Sequence, residues 1–210
     1  MNNIKKLPEN LINQIAAGEV IERPSSALKE LIENSIDAGS TEISIYLSDG
    51  GKTLIEVVDN GKGMARDDLN MCLERHATSK ISDGDLVHIA SLGFRGEALP
   101  SIASIANLCI ESYDKAMHEA WKISIINNKK HVEPSIIRFG TKVTITDLFF
   151  KVPARLKFLK TNGTEIRYCK EVVKHLAMSH PKITFILTID SKKIFYWDKS
   201  KEANFGGPIN

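Results

Sequence analysis

The sequence has no apolar run long enough to cross a bilayer. Its N-terminus, Met-Asn-Asn-Ile-Lys-Lys, leads into Leu-Pro instead of an apolar signal core. Both features speak against a membrane span and against a secretory leader. Cysteine is scarce: Cys72, Cys109 and Cys169 are far apart, odd in number and never in a CxxC spacing. Neither a disulfide framework nor a zinc site is expected, and a reducing cytosol suits such a chain. The histidines show no paired spacing that would hold a metal or relay a phosphoryl group.

What is present is the composition of a globular protein. Hydrophobic residues make up 42% and charged residues 26% of 210 positions, which excludes a disordered or fibrous class and leaves room for one good core plus the start of another. The net charge of +2 hides an asymmetry. Residues 151–201 carry twelve Lys/Arg against four Asp/Glu, net +8, and the remainder is net −6. A basic C-terminal side of this kind suits phosphate contacts with nucleic acid as well as a plain solvated face.

Hydrophobic spacing predicts a short helix over Pro8 to Ala17 ending at Gly18, an extended connector, and an amphipathic helix from Pro24 to Ala38 with Ser25 and Ser26 as candidate caps and Gly39 as its stop. Thr41 to Leu47 and Thr53 to Asp59 alternate and flank Asp49-Gly50-Gly51, which reads as a β-hairpin. Helical spacing returns over Asp67 to Ala77 and Pro100 to Ala106. Strands are expected over Leu108 to Tyr113, Ala120 to Ile126, Val132 to Ile137 and Lys142 to Asp147, extending one antiparallel sheet. Helices covering one face of such a sheet give an α+β fold, a two-layer α/β sandwich. Helices over Pro153 to Lys160 and Glu165 to Met178 and a hairpin of Lys182 to Asp190 with Ile194 to Trp197 read as the truncated start of a second domain, and residues 201–210 as an unstructured tail.

Three segments carry the chemistry. In Glu30-Leu-Ile-Glu-Asn34, Glu30 and Asn34 stand at i and i+4, so a carboxylate and an amide oxygen project from one helix face toward the same volume, an arrangement that suits water activation beside a metal as well as a plain solvated face. Asp59-Asn-Gly61-Lys-Gly63 closes a strand with a carboxylate able to accept from an exocyclic amine, and its glycines allow close backbone approach to a flat ligand. Gly93-Phe-Arg-Gly-Glu-Ala-Leu99 leads into a helix whose first amides can point at phosphate oxygens. Residues 78–97 lack any period and read as a lid over the ligand. Together these segments argue for a magnesium-ATP site.

In this order, and with Gly140-Thr141 added, the segments resemble the four motifs of the GHKL ATPases. Asn13-Gln-Ile-Ala-Ala-Gly-Glu-Val-Ile-Glu-Arg-Pro24, Arg75-His-Ala-Thr-Ser-Lys80 and Pro153-Ala-Arg-Leu-Lys-Phe-Leu159 narrow the resemblance to the MutL branch of DNA mismatch repair proteins, over roughly residues 4–198. The resemblance implies the Bergerat-type ATPase fold in residues 1–150, with residues 151–200 opening a transducer-like domain that longer members complete. It implies that Glu30 is the general base, that Asn34 holds magnesium, and that Asp59, assisted by Thr141, reads the adenine amine between Gly61 and Gly63. Thr78, Ser79 and Lys80 would line the lid. Gly93, Phe94, Arg95, Gly96, Glu97, Ala98 and Leu99 would form the phosphate loop, with Leu92 and Phe94 packing beside it. ATP would order the lid and pair two N-terminal regions into a homodimer that signals to DNA and to mismatch-recognition and downstream repair proteins in the cytoplasm. A hydrolysis-incompetent nucleotide- or DNA-binding protein of the same ancestry is the competing reading.

Overall fold

A computed structural model describes residues 7–74, 97–126 and 129–198, the side chains of Glu9 and Asn10 apart. The candidate residues Thr78, Ser79, Lys80, Leu92, Gly93, Phe94, Arg95 and Gly96, like the tail 201–210, lie outside the described residues.

Two helices open the chain, α1 (Glu9–Val20) and α2 (Pro24–Asp37). They are followed by β1 (Glu42–Ser48), β2 (Leu54–Asp59), α3 (Arg66–Met71), α4 (Ala98–Ile105), β3 (Asn107–Asp114), β4 (Glu119–Ile126), β5 (Lys129–Pro134) and β6 (Thr141–Thr146). The chain continues through α5 (Pro153–Leu156), α6 (Asn162–Ser179), β7 (Thr184–Ile189) and β8 (Lys192–Trp197). Among the described residues the eight strands form one sheet in the order β5-β4-β3-β6-β2-β1-β7-β8. Their side chains alternate: Ile43, Ile45 and Leu47 of β1 are buried while Tyr46 is exposed, and Ile55 and Val57 of β2 continue the inner face. The helices close over that face in a single core, giving the expected two-layer sandwich.

Several expectations change. The sheet is mixed, because β7 runs parallel to β1 with Ile43 beside Phe185 and Leu47 beside Ile189. Residues 151–198 therefore add strands to the sheet that carries the site, and α6 packs on α2. Its Cys169 and Val173 are fully buried, and Glu165, 0% exposed, lies 3.8 Å from Arg23 at the start of α2. Neither Ser25 nor Ser26 caps α2. Extended Arg23 precedes Pro24 at the first helical position, and Ser25 is buried. At the other end Gly39 (φ 73°) and Ser40 close the helix, with the Gly39 and Ser40 N–H groups donating to Ile36 O and Ser35 O at 2.9 and 3.3 Å, a Schellman turn.

The first helix does not stop at Gly18 but runs to Val20. The Arg155 guanidinium reaches across from α5 and donates to Gly18 O and Ile21 O at 3.0 and 3.1 Å, so carbonyls left open at the helix end are capped from outside. A Cβ on Gly18 would sit 1.6 Å from that guanidinium. Glycine here makes room for a side chain. Local spacing also misplaced shorter features: α3 ends at Met71, α5 at Leu156, β5 begins at Lys129, and Lys192 and Lys193 belong to β8 because the turn is Asp190-Ser191, both at positive φ.

Candidate functional site

Inward-facing positions put four residues in one row across the sheet. Ile43 pairs with Asp59, Asp59 with Thr141, and Thr141 with Ser112. Ile43 is apolar and the other three are polar yet buried, a row that breaks the core parity of three adjacent strands. Their polar atoms satisfy one another. Asp59 Oδ1 accepts from Gly61 N–H at 2.8 Å and from Thr141 N–H at 3.3 Å, and Oδ2 accepts from the Ser35 hydroxyl at 2.8 Å. The Ser112 hydroxyl shares a hydrogen bond with Thr141 Oγ1 at 2.9 Å and accepts from Met64 N–H at 2.8 Å.

Burial of Asp59 pushes its carboxyl above the usual carboxylate range. The Gly61 N–H and the Ser35 hydroxyl pull the other way. Three hydrogen bonds from the described residues reach the Asp59 carboxylate, and the Ser40 hydroxyl, buried near Gly61 in the same corner, also favours its charged form.

The turn after Asp59 is shaped by close approach of the backbone. Lys62 N–H donates to Ala38 O at 3.0 Å, which fastens the turn to the end of α2. At Gly63 φ is 75° and a Cβ would lie 1.8 Å from Tyr113 O. At Gly140 φ is 56° and a Cβ would lie 1.9 Å from Asp59 O. Side chains are excluded at both positions by the protein's own main chain. That is a stronger requirement than the ligand approach read from the sequence.

Helix α2 carries the remaining candidates to the same end of the sheet. Ser35 touches Asp59, Asn34 precedes it, and Glu30 lies one turn, about 5.4 Å, back along the helix from Asn34. Glu30 and Asn34 are both half-buried. Glu33 is buried and paired with Lys29 at 2.7 Å on a different face. Glu97 stands at the N-cap of α4 without a side-chain capping bond, and Ala98 and Leu99 open the helix behind it. Pro100 contributes no N–H, and Lys151 caps the far end at Ala103 O, 2.8 Å away. Two contributors, Ser35 and Ser112, escaped the sequence reading. Ser112 shares inward parity with Leu108 and Ile110, and that anomaly was the available signal. The cysteines take no part: burial pushes the Cys72 and Cys169 thiols up to about 12.

Residues 21–146 match the family model described as Histidine kinase-, DNA gyrase B-, and HSP90-like ATPase. A DNA mismatch repair protein MutL from Rickettsia akari is 51% identical over 205 residues, covering 96% of this chain and 34% of its own length. One from Afipia carboxidovorans is 49% identical over 195 residues, 92% of this chain and 32% of its own. The chain spans about a third of the length of these relatives. Among solved structures, the Aquifex aeolicus MutL ATPase domain complexed with ADP superposes with a TM-score of 0.72 at 31% identity, covering 87% of this chain and 66% of that one.

Proposed function

Because this chain belongs to the histidine kinase-, DNA gyrase B- and HSP90-like ATPase family, on its MutL mismatch-repair branch, we propose that it binds ATP with magnesium and hydrolyses it as the N-terminal engine of a mismatch repair protein. The observation that carries this reading is Asp59: a buried carboxylate at a strand end, fixed by Gly61, Ser35 and Thr141, whose oxygens are of the kind that accept from the adenine amine. Adenine offers an amine where guanine offers a carbonyl, so this floor discriminates between the bases.

The donor set fits the metal only in company with nucleotide. No group of three His, Cys, Asp or Glu side chains that could hold an ion occurs among the described residues. The Asn34 amide oxygen suits magnesium, which is bound through few protein ligands plus phosphate oxygens and water. When bound, the ion neutralises charge on the phosphates. The chain's own part is to position: Glu30 accepts the proton of the attacking water, Ser35 and Gly61 fix Asp59, and the Glu97 to Leu99 amides at the start of α4 receive phosphate oxygens together with Gly93 to Gly96. Thr78, Ser79 and Lys80 would close over the nucleotide.

Beyond the site, we read nucleotide-driven pairing of two copies, contact of the basic 151–201 segment with DNA, and signalling to mismatch-recognition and downstream repair proteins in the cytosol as the purpose of turnover. No helix among the described residues is long and apolar enough to cross a membrane. The test is steady-state ATP hydrolysis with magnesium, beside equilibrium binding of a non-hydrolysable analogue. Wild type should turn over, and Glu30→Ala should bind the analogue unchanged while losing about two to four powers of ten in rate. Full turnover in the variant would overturn the role of Glu30, and binding without turnover in wild type would reduce the function to nucleotide binding alone.

A further inference from the structure

The two ends of the sheet are unlike. β5 is defended against pairing by exposed Lys129, Lys130, His131 and Glu133 and by Pro134, which lacks an N–H. β8, the other terminal strand, carries Ile194-Phe-Tyr-Trp197, with Ile194 41% and Tyr196 42% exposed on the outer face. Such an edge is a template for another strand, opposed among the described residues by Lys192 and Lys193 at its beginning and by a bulge at Ile194, which leaves Phe195 to Trp197 in regular register with β7. Phe195 and Trp197 face the helices, opposite Leu187 and Phe185 of β7. Between this inner side and α6 lies an open groove of about 320 Å3, floored by Ile166, Leu187 and Phe195. Its rim is basic: Arg167, Lys170 and Lys174 are exposed along one helix face, against the single carboxylate of Glu171. The Trp197 indole N–H is shielded from solvent and meets no acceptor among the described residues.

We propose that β8 is a docking edge for an extended, acidic segment of a partner protein, which pairs its backbone with β8 and sets its inward side chains in the groove beneath α6. A strand added there turns alternate residues toward Phe195 and the three cations. Apolar side chains suit the floor and carboxylates the rim, so the recognised segment carries both acidic and apolar residues among its inward positions i, i+2 and i+4. A backbone carbonyl beside Trp197 would satisfy its donor. The groove's apolar floor separates this surface from one built only for nucleic acid, whose phosphates need charge and offer nothing to Phe195 or Leu187.

The experiment uses the full chain and a fluorescent decapeptide of repeating Glu-Ser-Val-Ser, which sets glutamate and valine on one face of a strand. Binding is followed by anisotropy, and amide exchange is followed over residues 192–197. Saturable binding with slowed exchange in β8 is expected. Replacing every glutamate by lysine, or N-methylating alternate peptide amides, should each weaken binding at least about tenfold. The triple change Arg167→Glu, Lys170→Glu, Lys174→Glu should do the same while thermal melting and nucleotide binding stay as in wild type. Absence of binding, equal binding of the N-methylated peptide, or protection confined to α6 would overturn the proposal. So would displacement by a single-stranded oligonucleotide that leaves β8 unprotected, which would make the basic face of α6 a nucleic-acid surface.

Discussion

The Ser35 hydroxyl donates to Asp59 Oδ2 at 2.8 Å, and through that bond the helix carrying Glu30 and Asn34 is tied to the end of β2. The groups proposed to activate water and to read the base thus keep a fixed spacing. Ser35→Ala leaves a buried carboxylate with one donor fewer and should cost on the order of 1–3 kcal/mol. A urea midpoint would measure that loss. Weakened analogue binding should accompany it, and unchanged affinity would mean that the bond serves folding alone.

On the proposed reading, Asp59 trades stability for recognition. Its carboxyl titrates above the unfolded value, near 3.9, because burial disfavours the charge. The folded state holds that proton more tightly than the unfolded one, so its contribution to stability is fully present below about pH 4 and is lost as pH rises through the folded value. At neutral pH the charge is a burden on the empty protein. Asp59→Asn should therefore melt at or above the wild-type temperature at pH 7 while ATP affinity falls by about 100-fold or more. A lower melting temperature at pH 7, with the wild-type pH profile retained, would contradict this account.

Gly63→Ala should be severe without touching nucleotide directly. A positive φ and a Cβ 1.8 Å from Tyr113 O combine strain with overlap against backbone, together on the order of 3 kcal/mol. The loss should be visible as a thermal shift in the empty protein. A normal melt with defective binding would place the role of Gly63 on the ligand side.

Gly18 and Arg155 should show a change of sign. Gly18→Ala displaces the guanidinium from two carbonyls and should destabilise by about 1–2 kcal/mol. In the Arg155→Ala background the clash is gone, and the same change should stabilise by up to about 1 kcal/mol, alanine being the better helix former. A denaturation cycle over the four proteins checks this, and additive effects would refute the coupling.

The local grammar of the chain was legible where a segment settles its own structure. Pro24, the stripe through Leu28, Leu31 and Ile32, and Gly39 mark α2 at both ends, and alternation marks β1 and β2. The motifs located Asp59, Gly61 and Thr141 where the structure brings them together. Reading failed where a distant partner decides. Gly18 is a plausible helix stop until Arg155, 137 residues later, supplies the cap. Ser35 carries no periodic signal because its role exists only once α2 lies against β2. Likewise nothing in Thr184 to Ile189 says that its neighbour is β1.

That last pairing governs how the protein is made. Asp190, whose carboxylate accepts from Asp49 N–H where β7 and β1 end together, lies 141 residues downstream of it, on the order of ten seconds of ribosomal synthesis. Throughout that interval the nascent β1, with Ile43, Ile45 and Leu47, is a strand with one bare edge inside what will become the middle of the sheet. Translation that stops soon after β6 would release a chain whose most adhesive strand faces outward.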